Sequence, residues 1–418
     1  MDVRRGIEPF LLPSARPVLI VEGPRTCGKT YVARHLVDQG VWERFESLAD
    51  PDTAAVAAND MPGWLMSLPD HTVIDEAQLL PDLSLRLKAL VDQQPKRRFL
   101  LTGSAHLART GLGGVDPLTG RVRRWRLNPL TAFELSGHPS AMGTLIGRLF
   151  EGDILADTTS DTPTVGPSDS TKWRTTLQRG GFPLLALGTV PTRQAAQWVR
   201  DTVSSLLSDN LLPGERFDSG LARRVLDACL RVPGDILNIA ALGQRLGLDP
   251  RTVDRYLDVM DERFLLLFLP NLATNPTRQT RARSKVHPVD SAFAYESIQR
   301  ADPDALRNPA VIGHLFESWV AAQILPCLQL HDGIVEAFYW RDAKTDREVD
   351  IVVADSEGRH IGVEVKASTQ VGVNDTVGLQ AMARRLPLTM GYVVYTGDRV
   401  ARLADRIWAL PVPRLMTS

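Results

Sequence analysis

The stretch that decides the fold is PVLIVEGPRTCGKTYVARHLV, residues 17–37. It opens with a short apolar run of β-type residues and closes with apolar residues at helical spacing. This order predicts a strand, a glycine-containing loop and a helix. The loop fits the pattern G-x-x-x-x-G-K-[ST] at Gly23, Gly28, Lys29 and Thr30. Strand, glycine loop and helix form the context that a phosphate-binding P-loop requires.

Each part of this loop has a physical role in holding a nucleotide. Glycines let backbone N–H groups turn inward around phosphates, and the helix N-terminus adds positive potential. Lys29 is expected to neutralise the β- and γ-phosphates, and the Thr30 hydroxyl to ligate Mg²⁺. The predicted cofactors are therefore ATP and Mg²⁺, and the alternative is a glycine-rich turn with no ligand. The predicted nucleotide-binding residues of the loop are Gly23, Pro24, Arg25, Thr26, Cys27, Gly28, Lys29, Thr30 and Tyr31.

Two later strands supply polar residues for the same site. The run TVIDE ends in Asp75, which we expect to hold Mg²⁺ through its water shell, and Glu76, which we expect to polarise the attacking water as general base. The alternative is a strand leading into a helix N-terminus, where acids are favoured. The run RFLLTGS carries Thr102 and Ser104 near its end, where ligands of parallel sheets bind. One of the two could sense the γ-phosphate, although both are also ordinary turn residues.

Together these residues resemble the AAA+ class of P-loop ATPases. GPRTCGKT, IDEAQLLPDLSLRLKALVD, RFLLTGSAHL, TGRVRRWRLNPLTAFEL and RGGFP resemble, in this order, the landmarks of predicted prokaryotic AAA+ ATPases with a C-terminal domain of unknown function. The resemblance extends over nearly the whole chain. The position of Cys27 is more often valine in that family, a difference that should not affect phosphate binding.

The same resemblance places the family's Gly-Arg step at Gly120 and Arg121. It implies that an arginine here acts as a finger or sensor on the γ-phosphate. RVRRWR contains four arginines, so which one points inward stays open, and the alternative is a solvated strand edge. Because AAA+ modules usually receive such an arginine from a neighbour, the resemblance also implies a possible homo-oligomer.

The middle of the chain predicts a linker and then a helical region. Residues 151–172 are rich in Thr, Ser, Asp, Pro and Gly, a composition that cannot bury a core. Residues 238–270 contain a helix, a glycine turn, a second helix and a β-type run, the pattern of a winged helix-turn-helix. The alternative is a winged helix with a purely structural role. The predicted nucleic-acid contacts, on the second helix and on the candidate wing TNPTRQTRARSKVH, are Arg251, Thr252, Arg255, Arg278, Arg281, Arg283 and Lys285.

The C-terminal part predicts a helix followed by three strands. The amphipathic helix carries Glu317, and a tight turn at Gly358 joins the second and third strands as a hairpin. Asp350 lies on one strand of the hairpin, and Glu364 and Lys366 share one face of the other because strand side chains alternate. Carboxylates so placed bind Mg²⁺, and a neighbouring lysine orients water or stabilises phosphate charge.

This arrangement, D-x13-E-V-K with an upstream helical glutamate, resembles the PD-(D/E)xK nuclease superfamily and most of all its Holliday-junction-resolvase-like branch. The usual proline before the aspartate is absent, because Val349 stands there. The resemblance implies catalytic roles for Asp350, Glu364 and Lys366, and metal-ligand roles for Glu317, Asp350 and Glu364. The alternative is a nuclease-like fold that only binds or packs.

Composition limits the possible classes of protein. A chain of 418 residues exceeds one ordinary core, and 44% hydrophobic with 23% charged residues excludes wholesale disorder. The net charge of −1 excludes a strongly basic coat over the whole chain. Three distant cysteines predict no zinc site and a reducing compartment. Without an apolar signal core or long apolar run, we expect a cytoplasmic protein that makes no membrane contact.

The predicted architecture is α/β: an AAA+ P-loop parallel-sheet domain (1–150), a flexible linker or loop (151–172), a helical and winged-helix region (173–300) and a PD-(D/E)xK nuclease-like domain (301–418). The predicted activity is Mg²⁺-dependent ATP hydrolysis coupled to a C-terminal part directed at nucleic acid, with DNA the expected partner. An ATP-regulated nuclease is one version of this function. The alternative is an ATP-switched regulator that binds DNA or protein and has an inert nuclease-like domain.

Overall fold

The structure is a computed structural model of the 418-residue chain. It describes residues 3–103, 117–155, 172–208, 217–272 and 283–417. The described residues divide into two compact units. The first contains Arg4–Pro129 with Glu262–Phe264, and the second contains Leu130–Asp261 and the chain from Leu265 onward.

The first unit is built on a five-stranded parallel sheet in the order β2-β3-β4-β1-β5. Its strands are β1 (Val18–Glu22), β2 (Arg44–Ser47), β3 (His71–Asp75), β4 (Arg98–Gly103) and β5 (Val122–Arg126). Its helices are α1 (Lys29–Asp38), α2 (Pro51–Asn59), α3 (Met61–Ser67) and α4 (Leu83–Gln93), with 3-10 turns at Glu8–Phe10 and Ala77–Leu79. The central strands β1, β3 and β4 are almost wholly buried, as expected for a parallel sheet covered on both faces.

This topology brings the carboxyl ends of β1, β3 and β4 to one edge of the sheet. The core below that edge packs Ile20, Ile74 and Leu101 of these strands with Trp64 of α3 and Leu87 of α4. Because all three strands run in the same direction, the residues that follow them become neighbours in space. The edge therefore collects the polar residues that the sequence places after each strand.

The second unit begins earlier than the sequence predicts. The predicted boundary lies at 150, but α5 (Ala132–Leu135) and α6 (Ala141–Glu151) already belong to the second unit. Leu130 N–H donates to the Gly181 carbonyl at 2.7 Å, and a Cβ at Gly181 would overlap the Leu130 carbonyl. Long-range packing, which local sequence does not reveal, thus sets the boundary at Pro129. Of the predicted linker, 151–155 end α6 and form a 3-10 turn, and 156–171 lie outside the described residues.

Helices dominate the first half of the second unit. They are α7 (Lys172–Arg179), α8 (Pro183–Ala186), α9 (Thr192–Ser208), α10 (Ser219–Leu230), α11 (Ile239–Leu246), α12 (Pro250–Glu262), α13 (Ser291–Ala301) and α14 (Pro309–Leu328), with a 3-10 turn at Pro303–Arg307. Two antiparallel strands, β6 (Leu266–Leu269) and β7 (Lys285–Pro288), follow α12. The left-handed Gly247 joins α11 to α12, so the predicted helix, turn and helix are present, and the predicted β-type run contains β6. The winged-helix assignment itself stays a prediction.

A six-stranded mixed sheet forms the rest of the second unit, in the order β12-β13-β11-β10-β9-β8. Its strands are β8 (Val335–Arg341), β9 (Glu348–Asp355), β10 (His360–Lys366), β11 (Leu388–Tyr395), β12 (Ala401–Ala404) and β13 (Ile407–Pro411). Helix α15 (Val377–Ala383), after a 3-10 turn at Val373–Thr376, joins β10 to β11, and α16 (Val412–Thr417) follows β13. Strands β8, β9 and β10 form the antiparallel meander that the sequence predicts, with Gly358 at φ 80° in the hairpin turn.

Helix α14 has no separate polar face, which differs from the amphipathic helix that the sequence predicts, and most of its residues from Leu315 onward are buried. It packs on β7, β8 and β10. Within the described ranges it is the one helix long and apolar enough to cross a membrane by length and composition, and 56% of the qualifying window is buried inside the protein. Glu317 is the carboxylate that this helix carries into the core, at 9% exposure.

Candidate functional site

The loop between β1 and α1 has a backbone that only glycine permits at two places. A Cβ at Gly23 would overlap the Leu127 carbonyl, and Gly28 lies at φ 102°, in the left-handed region. The side chain of Lys29 folds back over this loop and is buried. Its Nζ donates to the carbonyls of Gly23 at 3.0 Å and Pro24 at 2.8 Å. The loop therefore holds one buried ammonium above its own backbone.

Asp75, the last residue of β3, lies beside the loop and is 2% exposed. The Thr30 hydroxyl is 3.1 Å from both carboxylate oxygens of Asp75, and the Thr102 hydroxyl donates to one of them. Ser47, at the end of β2, contributes a weaker contact at 3.4 Å. The structure thus brings together Thr30, Asp75 and Thr102 from three separate elements. Carboxylate and hydroxyl oxygens are ligands that suit Mg²⁺ with its waters, so this set fits the predicted ion.

Glu76 follows Asp75 in a strained backbone conformation. Its φ is 54°, in the left-handed region that a non-glycine residue rarely adopts. The Glu76 N–H donates to the Thr102 hydroxyl at 3.4 Å, and the Gln78 side-chain amide donates to the Glu76 carboxylate. Because β3 ends at Asp75, Glu76 lies at the edge of the sheet beside the loop, and its side chain is partly exposed.

A buried arginine that the sequence does not single out supports the loop from the N-terminal segment. Arg5 is 5% exposed, and its guanidinium donates to the carbonyls of Cys27 at 2.9 Å and Asn128 at 2.6 Å. The Cys27 side chain is fully buried, and burial raises the pKa of its thiol. Nothing in the sequence distinguishes Arg5 from Arg4, whose side chain is half exposed.

The remaining predicted nucleotide contacts are placed differently. Arg25, Thr26 and Tyr31 are exposed at the loop and at the start of α1. The ring of Tyr31 stacks on that of His35, with centroids 6.2 Å apart. Ser104 lies outside the described residues.

Arg121 requires a correction. Its carbonyl accepts from Val18 N–H at 3.2 Å, which places it at the start of β1 and β5, whereas the loop follows the end of β1. Its side chain makes two contacts with Asp92 of α4, at 2.5 and 3.0 Å. The hydrogen bond from Arg121 lowers the pKa of Asp92. Because the two edges of the sheet lie a strand's length apart, Arg121 does not reach the loop of its own unit.

A second cluster of charged residues lies in the second unit, around Lys285 of β7. The Lys285 Nζ is 2.8 Å from Glu317 of α14, 2.8 Å from Asp350 of β9 and 2.6 Å from Glu348 of β9. We call the three acids, Glu317, Glu348 and Asp350, the carboxylate cluster. Lys285 is 2% exposed, so its prediction as a nucleic-acid contact is wrong. Lys285 is the first residue of the buried strand β7, and its side chain points into the protein. The two residues before it, Arg283 and Ser284, are basic and polar.

The predicted residues of the β9–β10 hairpin do come together. Val365 N–H donates to Asp350 at 2.8 Å, and Lys366 Nζ lies 2.7 Å from one oxygen of Glu364. The other oxygen of Glu364, Oε2, is buried and makes no hydrogen bond with any residue that the structure describes. Glu317 is linked to Asp350 by Lys285, whose ammonium donates a hydrogen bond to each of the two carboxylates.

Burial and charge shift the pKa values of these groups in opposite directions. Burial, with the charge of Asp350, raises the pKa of Glu364 to about 8 and that of Glu317 to about 8. Burial alone would lower the pKa of Lys285, but Asp350, Glu317 and Glu348 together hold it well above its ordinary value. Burial would likewise raise the pKa of Asp350, yet Lys285 brings it below its ordinary value. Lys285 and Asp350 therefore form a charged pair inside the protein.

The predicted metal site of the nuclease-like part does not fit this arrangement. The oxygens of Glu317 and Asp350 that would face a metal ion face the ammonium of Lys285 instead. Across the described residues, no group of three or more His, Cys, Asp or Glu side chains is disposed to hold a metal ion.

The candidate nucleic-acid surface carries charges of both signs. Arg251, Arg255 and Arg283 are exposed, as the sequence predicts, and Thr252 is partly exposed. Asp254 and Asp258 are exposed on the same helix, so α12 does not present a uniformly basic face. Arg278 and Arg281 lie outside the described residues.

Family models match three consecutive parts of the chain. An AAA domain matches residues 15–136, a domain of unknown function (DUF8612) matches 170–304, and a second domain of unknown function (DUF4143) matches 312–415. The first part of the chain is therefore similar to AAA domains. The DUF4143 domain that follows agrees with the predicted organisation, an AAA+ ATPase with a C-terminal domain of unknown function. The AAA match spans the whole loop, Asp75 and Thr102, and supports ATP binding and hydrolysis by the first unit.

The chain also resembles individual proteins over most of its length. It is 26% identical over 404 residues to uncharacterized proteins of Mycobacterium bovis and Mycobacterium tuberculosis, which covers 96% of this chain and 81% of each relative.

Among solved structures, the Thermotoga maritima RuvB Holliday junction branch migration motor is 18% identical with a TM-score of 0.27, covering 64% of this chain and 84% of that one. The Aeropyrum pernix ORC1 protein in complex with DNA is 14% identical with a TM-score of 0.29, covering 69% and 87%. These superpositions are partial, and the similarity to AAA domains rests on the family match.

Proposed function

We propose that the protein is a Mg²⁺-dependent ATPase whose P-loop unit switches a C-terminal part that binds nucleic acid without cutting it. The observation that carries the ATPase half is the contact of Thr30 with Asp75 next to the buried ammonium of Lys29. These three side chains come from two elements that meet at one edge of the sheet. They supply the positive charge and the oxygen ligands that a Mg²⁺-nucleotide needs.

Each residue of this edge has a distinct task in the proposed reaction. Lys29 exchanges its two carbonyl acceptors for phosphate oxygens, and the glycine loop turns its N–H groups toward the same phosphates. Thr30 and Asp75 would hold Mg²⁺, which when bound would supply positive charge at the phosphate oxygens. Glu76 accepts the proton of the attacking water, and Thr102 holds both Asp75 and the backbone of Glu76 in place.

The binding half of the proposal is supported by the second unit. Arg251 and Arg255 are exposed on α12, and Arg283 is exposed just before β7, where they can meet phosphates. The carboxylate cluster, in contrast, already holds the ammonium of Lys285. Charged groups that are paired with each other favour a fold that binds or packs over one that cuts.

An ATP-regulated nuclease is the second candidate. The observation in its favour is the convergence of Asp350, Glu364 and Lys366 at one end of the β9–β10 hairpin. A carboxylate pair with a neighbouring ammonium is the constellation that phosphodiester cleavage uses. Either candidate is compatible with a homo-oligomer. Arg121 lies at the opposite edge of the sheet from the loop of its own unit, so it could contact a nucleotide only at the loop of another molecule.

ATPase measurements test the first half. Lys29→Ala should abolish phosphate release, whereas the exposed Lys96→Ala serves as a matched control and should match the unchanged chain. Circular dichroism of each variant reports whether it is folded. A folded Lys29→Ala variant that still hydrolyses ATP at the original rate would remove the P-loop from the mechanism.

Binding and cleavage measurements separate the two candidates. Fluorescence anisotropy with labelled duplex and branched DNA should give different affinities in a non-hydrolysable ATP analogue and in ADP. Identical affinities in both nucleotides would contradict the proposed switch. Mg²⁺-dependent cleavage of the same DNA that disappears in Lys366→Ala would favour the nuclease.

A further inference from the structure

We propose that Lys285 is the built-in cation of the carboxylate cluster, and that its ammonium takes the place a divalent metal ion would occupy there. Three carboxylates from two elements converge on this one nitrogen at 2.6–2.8 Å. The lysine comes from a third element, β7, which lies 65 residues before Asp350 in the chain. The second unit thus supplies both the acids and their counter-ion.

The geometry leaves the ammonium no spare donor. A lysine ammonium has three N–H groups, and each of the three acids offers an oxygen within hydrogen-bond distance. A divalent ion on the same oxygens would approach to roughly 2.0–2.6 Å. It would then stand next to a positive charge in a nearly dry interior, where repulsion between cations is strong. Metal and ammonium therefore exclude each other at this cluster.

The backbone around Lys285 is held on both sides. Strand β7 pairs with β6 on one side. On the other side, three backbone hydrogen bonds join β7 and the residue before it to the segment 234–237. Val286 N–H donates to the Asp235 carbonyl at 3.1 Å, Leu237 N–H to the Ser284 carbonyl at 2.8 Å, and Gly234 N–H to the Val286 carbonyl at 2.7 Å. These hydrogen bonds fix the backbone of Lys285, and its side chain is almost wholly buried beside the three acids.

Gly234 completes the enclosure of the cluster. It lies at φ 81°, and a Cβ there would sit 3.1 Å from Oε1 of Glu317, the oxygen that also faces Lys285. Only a backbone without a side chain can approach the carboxylate so closely. The Gly234 backbone therefore lies against Glu317, on the carboxylate oxygen that also faces the ammonium. This inference holds whether or not the P-loop unit hydrolyses ATP.

Manganese binding to the full chain, without nucleotide, tests the proposal by electron paramagnetic resonance. The unchanged chain should bind no Mn²⁺ that depends on Asp350. Lys285→Met should gain one bound Mn²⁺ per chain, and adding Asp350→Asn to that variant should remove it. Lys344→Met, at an exposed lysine, is the matched control and should behave as the unchanged chain does. Equal Mn²⁺ binding by the unchanged chain and Lys285→Met, reduced at least tenfold by Asp350→Asn, would overturn the proposal.

A second measurement needs no variant and so does not depend on whether Lys285→Met folds. Lysines of the native chain are labelled with an acylating reagent, and the rate at each position is read by mass spectrometry. Lys285 should react at least tenfold more slowly than Lys344, with and without Mn²⁺. A tenfold rise in the labelling of Lys285 on adding Mn²⁺ would show that metal displaces the ammonium, and would refute the inference. ATPase activity enters neither readout, so failure here and failure of the proposed function are distinct results.

Discussion

Asp75 and Asp350 are two buried aspartates whose side-chain hydrogen-bond donors differ in charge. Asp75 is 2% exposed and Asp350 8% exposed, and each lies on a strand of a sheet that supports a candidate site. The donors around Asp75 include the hydroxyls of Thr30 and Thr102, which are neutral. Asp350 instead faces the ammonium of Lys285. A neutral donor leaves the carboxylate charge to be balanced by an incoming cation, whereas an ammonium already balances it. The two aspartates are similarly buried, so the difference between them lies in the charge of the nearest donor.

The largest expected effect tests the catalytic side of this comparison. Glu76→Gln keeps the shape of the side chain but removes its basicity, so kcat for ATP should fall by about 10²- to 10⁴-fold. Binding of a fluorescent ATP analogue should persist, because Lys29 and Asp75 are unchanged. Steady-state phosphate release measures the first quantity and fluorescence titration the second. The exposed Glu357→Gln is a matched control, and a fall of less than tenfold would exclude Glu76 as the general base.

The next prediction exchanges the two aspartates for their amides. Asp350→Asn leaves Lys285 with two carboxylates, and the second unit should lose roughly 3 kcal/mol, the lower end for breaking a buried pair. ATP hydrolysis should be unaffected. Asp75→Asn should instead abolish Mg²⁺-dependent hydrolysis with little change in stability, because its donors are hydroxyls that can rotate.

Urea unfolding and ATPase assays on both variants check this reversal. If Asp75→Asn destabilised the chain as much as Asp350→Asn did, the contrast between neutral and charged donors would be wrong.

Asp290 is a third buried aspartate, and its hydrogen-bond donors are backbone N–H groups. It is 2% exposed and accepts from the backbone N–H groups of Gly181, Phe182 and Ala292. Burial raises its pKa from 3.8 to about 6, although these hydrogen bonds act in the opposite direction. The folded state therefore binds a proton more tightly than the unfolded state. The stability that this group contributes is present at low pH and is lost as pH rises from about 4 to about 6.

Asp290→Asn should remove that pH dependence. The difference in unfolding free energy between the unchanged chain and the variant should shrink as pH rises through this window, by at most about 1.4 kcal/mol per pH unit. Denaturant titrations at pH 4, 5, 6 and 7 measure it. A difference that stays constant with pH would show that Asp290 is ionised throughout.

The smallest expected effect concerns Arg121. Its contacts with Asp92 are exposed to solvent, so Arg121→Ala should leave stability unchanged within error. Hydrolysis by isolated molecules should change less than twofold, because Arg121 lies at the opposite edge of the sheet from the loop. Asp92→Ala is the matched control. If hydrolysis fell 100-fold in Arg121→Ala alone, Arg121 would be acting on the site of a neighbouring molecule.

What the sequence predicts well is local or carried by a fixed motif. The strand, loop and helix around Lys29 follow from residues that are adjacent in the chain. The contact of Thr30 with Asp75, 45 residues later, follows from a motif whose spacing reflects a parallel sheet. The β9–β10 hairpin is likewise predictable from the alternating residues around Gly358.

What the sequence predicts poorly depends on long-range packing. Lys285 stands two residues after Arg283 in a basic stretch, so the sequence suggests a surface residue. Its burial comes from Glu317 and Asp350, 32 and 65 positions later. The boundary at Pro129 and the role of Arg5 likewise depend on contacts with distant backbone carbonyls. No local pattern records which of several arginines or lysines will meet such a partner.

The lack of a separate polar face on α14 has a consequence for the order of synthesis. The chain leaves the ribosome from its N-terminus, so α14 is complete before β8 and β10, which cover it, have been made. Of the three described strands that pack on α14, only β7 has been made by then. The helix can therefore be enclosed only once Lys366, the end of β10, has emerged. Glu317 and Lys285 are both made before Asp350, so the carboxylate cluster is completed only after β9 has emerged.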